Sequence, residues 1–280
     1  KFRYVEEVAA QTATCFGFKE MITPIFEHTE VFTRSSGEES DIVAKEMYTF
    51  LDRAKRSITL RPEGTAPIVR SFIENKIYTN YPNLTKVFYR GPIFRYERPQ
   101  AGRFRQFHQF GVEVFGDASS LLDADVIYSG YQILQKLSIP NIRVKVNSIG
   151  DFASRKVYQA AVAAYFSNHK DNLCSDCMRR LEKNPMRILD CKVDQGKDFF
   201  VSAPKLENYL NEASKQYFQE VLSYLDAFGI QYEIDDNLVR GLDYYTDTVF
   251  EYIIDSEDAY NGLAICAGGR YDNLVAELGG

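Results

Sequence analysis

Six cationic side chains crowd one short stretch of an otherwise acidic chain. Lys86, Arg90, Arg95, Arg98, Arg103 and Arg105 fall within twenty residues whose only acidic member is Glu97, while the 280-residue protein carries a net charge of -6. A guanidinium presents a planar fork of donors matched to phosphate oxygens. A single helix or strand would scatter such groups, whereas a hairpin would bring them to one place. Two carboxylates elsewhere invite a role. Glu63, in Leu60-Arg61-Pro62-Glu63-Gly64-Thr65, sits where a strand turns into a helix, beside the free amides of the helix start. A first-turn carboxylate favoured by the helix dipole would look the same. Glu113, between Val112 and Val114, points to the opposite strand face from both, toward either solvent or a pocket.

The elements that must position these groups follow from the pattern. Val87-Phe88-Tyr89 before the basic stretch and Phe110, Val112, Val114 and Phe115 after it read as two strands. Arg98-Pro99-Gln100-Ala101-Gly102-Arg103 is the turn or loop between them. Upstream, residues 1–17 form an amphipathic helix ended by Gly17. Phe18 to Phe26 reads as a strand holding Pro24, which belongs at an edge, a strand end or an interface. Glu27 to Ser36 is expected as a short helix, Ser57 to Leu60 as a strand and Ala66 to Asn75 as a helix. Downstream come a helix from Ser120 to Leu137, a strand from Ile142 to Asn147 and a strand from Thr248 to Ile254. Residues 151–228 are helical with few strand signals and read as an insertion. The division is therefore 1–150, 151–228 and 229–280. Strands in hairpins with flanking helices make the fold class α+β rather than a βαβ alternation.

Composition narrows the function classes. No apolar run approaches the ~20 residues of a membrane span, and the opening residues are no signal peptide. The acidic total argues against a general nucleic-acid-binding module, which would carry basic excess over a broad face. Five irregularly placed cysteines fit a reducing cytoplasm rather than a disulfide framework. Three of them, Cys174-x2-Cys177 and Cys191, could make a zinc site with a fourth ligand. His169 is a candidate fourth ligand at an unusual spacing, so ordinary thiols are the preferred reading and no metal ligand is assigned.

Longer strings then carry a resemblance. Phe94-Arg95-x-Glu97, Gly102-Arg103 and Arg105-x-Phe107-x-Gln109 resemble motif 2 of the class II aminoacyl-tRNA synthetases, and the helix-strand-Pro opening resembles motif 1, which builds their dimer interface. RGPIFRYERPQAGRFRQFHQFGVEVFG, LRPEGT, RGLDYYT (240–246) and AGGRYD (267–272) are together similar to the histidyl-tRNA synthetase family. The resemblance implies the class II catalytic fold, an antiparallel sheet flanked by helices with a helical insertion. It also implies a cytoplasmic homodimer that activates L-histidine with ATP, with Mg2+ in attendance, and transfers it to tRNA(His).

The same resemblance implies residue roles. Arg95 would contact the α-phosphate and the substrate carboxylate, and Arg240 would stabilise charge at the α-phosphate from the opposite side. Arg103 would hold the distal phosphates, and Glu97 and Phe107 the adenine. Glu63, Thr65 and Gln109 would bind the α-ammonium, and Glu113, Tyr244 and Tyr245 would line the imidazole pocket. In the family, motif 3 and an anticodon-binding domain lie beyond the position matching Gly280, so the chain is expected to be a catalytic-core fragment. The competing expectation is a non-catalytic synthetase-like regulatory or sensor paralogue. It is disfavoured because Glu63, Arg95, Gln109, Glu113 and Arg240 are all retained.

Overall fold

A computed structural model describes the chain except for residues 37–39, 41, 81–82, 99–102, 190, 192, 240–243 and 257–260. Its contacts divide it into two compact units. One comprises residues 1–139, 242–244 and 272–280, and the other residues 140–241 and 245–271. Residues 140–150 and 229–241 thus cluster with the helical stretch between them.

The first unit opens with helix α1 (Phe2–Cys15), which Gly17 ends with φ +85°. Strands β1 (Lys19–Glu20) and β2 (Phe26–His28) follow, then α2 (Thr29–Ser36), β3 (Tyr48–Leu51), β4 (Ser57–Leu60), α3 (Thr65–Glu74) and α4 (Ile77–Asn80). The hairpin β5 (Thr85–Phe94) and β6 (Gln106–Phe115) precedes α5 (Ser120–Lys136). The strand expected over 18–26 is in fact two short strands in different sheets. β1 runs parallel to β5, and β2 pairs with β4. Pro24 cannot donate to a ladder, and the carbonyl of Thr23 is taken by the Arg61 guanidinium at 3.1 Å. The helix expected from Glu27 starts instead at Thr29, because residues 26–28 are held by β4.

The hairpin is the scaffold of this unit. Its ten-residue strands pair in unbroken antiparallel register, from Thr85↔Phe115 to Phe94↔Gln106. Alternation gives it two faces. On one, Phe88 forms a buried cluster with Ala13 and Phe18, against which Phe110, Val112 and Val114 pack. Lys86 and Arg90 share that parity. Lys86 is paired with Asp125 at 2.6 Å and Arg90 with Glu20 at 2.7 Å. These two cations are thereby removed from the convergent set expected of the hairpin: period-two geometry sends even-numbered side chains of β5 toward α1 and α5. On the other face Phe115 stacks on Phe72 of α3 with ring centres 4.4 Å apart.

The second unit holds β7 (Ile142–Ser148), α6 (Phe152–Ser167), α7 (Ser175–Lys183), α8 (Asp198–Val201), α9 (Glu212–Ala227), β8 (Tyr232–Ile234), β9 (Thr246–Ile254) and β10 (Ala264–Arg270). Its sheet runs β10-β9-β7-β8, antiparallel except for the β7–β8 pair. Every regular element described between 151 and 228 is helical. Asp151 and Asn211 cap α6 and α9 by accepting from the amides of Ser154 and Ser214, each at 2.8 Å. The Asn211 side chain also donates to Asp151 at 2.9 Å, so one exchange fixes both helix starts. Tyr158, Val162, Phe166, Ile188, Leu206 and Leu225 are buried here. A last short helix, α10 (Leu274–Glu277), belongs to the first unit.

Candidate active site

The turn from β4 into α3 is built around Glu63. Its carboxylate oxygens accept from the amides of Thr65 at 2.7 Å and Ala66 at 2.8 Å, occupying donors that the first turn of α3 cannot pair internally. The residue is buried. Burial pushes its carboxyl pKa up, against the lowering influence of those two amides and the charge of Arg95. Two bonds leave part of a carboxylate's acceptor capacity for a further donor. Two residues on, the Thr65 hydroxyl donates to Glu113 Oε1 at 2.7 Å, and both residues are buried.

Strand alternation explains why Glu113 is there. Phe107, Gln109, Gly111 and Glu113 share the face of β6 opposite the α1 cluster, across from Ile93, Gly91, Tyr89 and Val87. Six residues of strand separate Phe107 from Glu113, about 20 Å at the antiparallel rise. The face thus has a carboxylate end and an aromatic end, with Gln109 between them.

At the aromatic end Arg95 donates through Nε to the carbonyl of Pro62 at 2.8 Å. That bond ties the hairpin tip to the Glu63 turn. The guanidinium carbon of Arg95 lies 5.4 Å from the Phe107 ring centre. Glu97 faces Arg95 at 3.9 Å and Arg103 at 3.5 Å, separations too long for firm bonds. Arg103 is exposed, while Arg105 stacks on Tyr96 at 4.3 Å. Of the cations near the hairpin tip, Arg95 and Arg103 thus share Glu97 as a neighbour, while Arg105 is held by Tyr96.

Several residues that shape this face were missed. Arg61 is buried and bridges β5 to the segment between β1 and β2, donating to Pro92 O at 2.9 Å and to the Thr23 carbonyl and hydroxyl at 3.1 and 3.2 Å. Burial lowers its pKa. Its fit needs Gly91, with φ +138°, where a Cβ would lie 2.7 Å from Arg61 Nη2. The ring of Tyr89 lies over two more glycines: a Cβ on Gly64 would fall 2.1 Å from it and one on Gly111 2.4 Å. An unexplained Gly in the interior of an apolar strand was the available signal.

The remaining predicted residues fall elsewhere. Arg240 lies outside the described residues. Tyr244 is buried and belongs to the first unit, whereas Tyr245 is buried in the second. There the Gly-Gly pair of β10 makes room: a Cβ on Gly269 would lie 2.6 Å from the Thr248 carbonyl and 2.8 Å from the Tyr245 ring, and one on Gly268 2.8 Å from the Phe250 ring. Cys174, Cys177 and Cys191 are brought together with Asp194. His169 instead stacks on Phe199, with ring centres 5.0 Å apart.

A family model described as histidyl-tRNA synthetase matches residues 1–280. The chain is 51% identical over 280 residues to the histidine–tRNA ligase of Geobacillus sp. (strain WCH70), covering all of this chain and 66% of that protein. It is 50% identical to that of Bacillus subtilis (strain 168), with the same coverage. The crystal structure of apo S. aureus histidyl-tRNA synthetase superposes with a TM-score of 0.79 at 43% identity, over 99% of this chain and 64% of that one. The chain thus spans just under two thirds of these relatives. A structure titled as an ATP phosphoribosyltransferase regulatory subunit/histidyl-tRNA synthetase from Bacillus halodurans shares the fold, with a TM-score of 0.69 at 21% identity.

Proposed function

Because the chain belongs to the histidyl-tRNA synthetase family, we propose that it carries the catalytic fold that activates L-histidine with ATP and charges tRNA(His). A histidine carboxylate oxygen attacks the α-phosphorus, the bond to the β-phosphate bridge breaks and pyrophosphate leaves. Transfer of the histidyl group to the terminal ribose of tRNA(His) then releases AMP. Two anions meet in the first step, so positioned cations matter more than a strong base. Arg95 takes the α-phosphate and the substrate carboxylate, and Arg240 the developing charge from the other side. Arg103 takes the distal phosphates, where Mg2+ would supply further positive charge. Glu97 and Phe107 receive adenine. Glu63, Thr65 and Gln109 receive the α-ammonium, and Glu113, Tyr244 and Tyr245 the imidazole.

The observation that carries this reading is the buried Thr65–Glu113 bond beside Glu63. It gives the carboxylate end of the face acceptors for a cationic ammonium and for an imidazole N–H, while Arg95 stands at the end suited to phosphate. We extend the reading to a cytoplasmic homodimer. Ile22, Ile25, Phe26, Phe50 and Leu51 are all exposed, and they come from the motif 1 segment and β3, which flank β4. Division into a catalytic core interrupted by a helical insertion over 151–228 is part of the same proposal.

Calorimetric titration with L-histidine, histidinol and an unrelated amino acid tests it. Selective histidine binding is expected. In Glu113→Gln an amide replaces the carboxylate that accepts the imidazole N–H, and selectivity should fall by about one to three orders of magnitude, corresponding to ~1.4–4 kcal/mol. No histidine binding by the folded protein, or unchanged selectivity in the variant, would remove the pocket from this face.

A further inference from the structure

We propose that Cys174, Cys177, Cys191 and Asp194 form a structural zinc site in the second unit, independent of the synthetase chemistry. The four ligand atoms all lie within 4.8 Å of one another. Cys177 and Cys191 are buried, as is Asp194, and Cys174 is partly so. A tetrahedral ion with Zn–S bonds of 2.3 Å requires S···S edges of ~3.8 Å. Cys174 Sγ and Cys191 Sγ are 3.7 Å apart. Drawing the remaining pairs to that edge requires movements of ~1 Å at most.

Neighbouring groups orient these ligands. Cys174 is the N-cap of α7, and its sulfur accepts from the Cys177 amide at 3.5 Å, so the Cys-x-x-Cys pair is set by a helix start. The Cys174 amide donates to Asp194 Oδ2 at 2.9 Å, fixing the carboxylate's orientation. Lys197 Nζ lies 2.7 Å from Asp194 Oδ1 and offsets part of the site's negative charge. Cys191 is delivered by the 3₁₀ turn Pro185–Ile188, which packs on α7. Metal would therefore staple α7 to the segment carrying Cys191 and Asp194. The fourth ligand atom grouped with the three sulfurs comes from Asp194 and not from His169, whose ring stacks on Phe199.

Three thiolates with one carboxylate favour zinc over magnesium or calcium, which prefer all-oxygen shells, and over Cu(I), which prefers sulfur alone. On binding, Zn2+ displaces the three thiol protons, which pass to solvent, and no electron is transferred. Without metal the same atoms are three crowded thiols.

The test is metal analysis of the full-length protein, produced in zinc-supplemented medium and purified without chelator. About one zinc per chain is expected, released when a mercurial modifies the thiols. Cobalt exchange should give thiolate-to-metal charge-transfer absorption and the intense visible bands of a tetrahedral ion. Cys191→Ser should lose the metal. Asp194→Cys should retain it with stronger charge transfer, which guards against a variant that merely fails to fold, and His169→Ala should bind as the parent does. Metal-free protein with three freely reactive thiols, or an intact mass two hydrogens lighter from a disulfide, would overturn the proposal. So would metal loss confined to His169→Ala.

Discussion

Glu63→Gln isolates how the carboxylate end of the site is held. Both Glu63 oxygens accept backbone amides, from Thr65 at 2.7 Å and from Ala66 at 2.8 Å. Gln offers one acceptor oxygen and turns an NH2 toward the other amide, so one buried N–H loses its partner. That costs ~1–3 kcal/mol, or about a 5- to 150-fold loss of hydrogen-exchange protection at Thr65 and Ala66. Phe72, further along α3, should be unaffected. Charge works the other way. Burial raises the Glu63 pKa in the folded state, so the folded protein binds more protons at this group than the unfolded chain does. Glu63 therefore contributes stability that is fully present below the unfolded value of ~4.3 and is lost as pH rises through the folded value. Gln carries no such loss. The variant's penalty should be largest in acid and shrink toward neutrality, by ~1.4 kcal/mol for each unit of the native shift. Exchange measured on both proteins at matched pH reads this directly. A penalty that grows with pH would mean that the two amides and Arg95 outweigh burial and that the group is a stabilised anion.

Two further substitutions probe packing on this face and the proposed chemistry separately. Gly111→Ala places a Cβ 2.4 Å from the Tyr89 ring, which must move or strain the hairpin. We expect ~1–3 kcal/mol of destabilisation by thermal unfolding, with weakened histidine binding, and a neutral result would mean that the ring has free space. Arg240→Ala should slow adenylate formation at least a hundredfold while changing histidine affinity less than threefold. Equal losses would place Arg240 in ground-state binding rather than at the developing charge.

Local chemistry was legible in the sequence, and spatial neighbourhoods much less so. The Glu63 turn could be anticipated because a carboxylate just ahead of a helix has only the helix amides beside it. Glu113 could be assigned a face, since parity along β6 decides it. The same parity separates Lys86 and Arg90 from Arg95: both lie on the reverse face of the hairpin, where Asp125 of α5 and Glu20 of β1 neutralise them. Pro24 was expected at an edge, a strand end or an interface, and it falls between the end of β1 and the start of β2. The neighbouring Thr23 carbonyl is held by Arg61, 38 residues on, a partner that local pattern does not reveal. Asp194 could not be joined to the cysteines by spacing, because the intervening 3₁₀ turn folds the chain back in a way no ligand motif encodes.

The hairpin shows why so much chemistry can rest on few elements. Period-two alternation lets one strand serve two unrelated tasks at successive residues. Phe110, Val112 and Val114 contribute burial toward α1, while Gln109, Gly111 and Glu113 face the other way. Burial on the first face locks the register, and a register locked by ten cross-strand pairs sets Glu113 opposite Val87 and within reach of Thr65. A slip of one residue would send Glu113 into the apolar cluster and Val112 toward the Thr65 hydroxyl, an exchange that strands a charge and an unpaired donor together. Specificity at this face is thus secured by packing on the reverse side. Substitutions such as Phe88→Ala, remote from any proposed ligand contact, should weaken the site through the register before they unfold the unit.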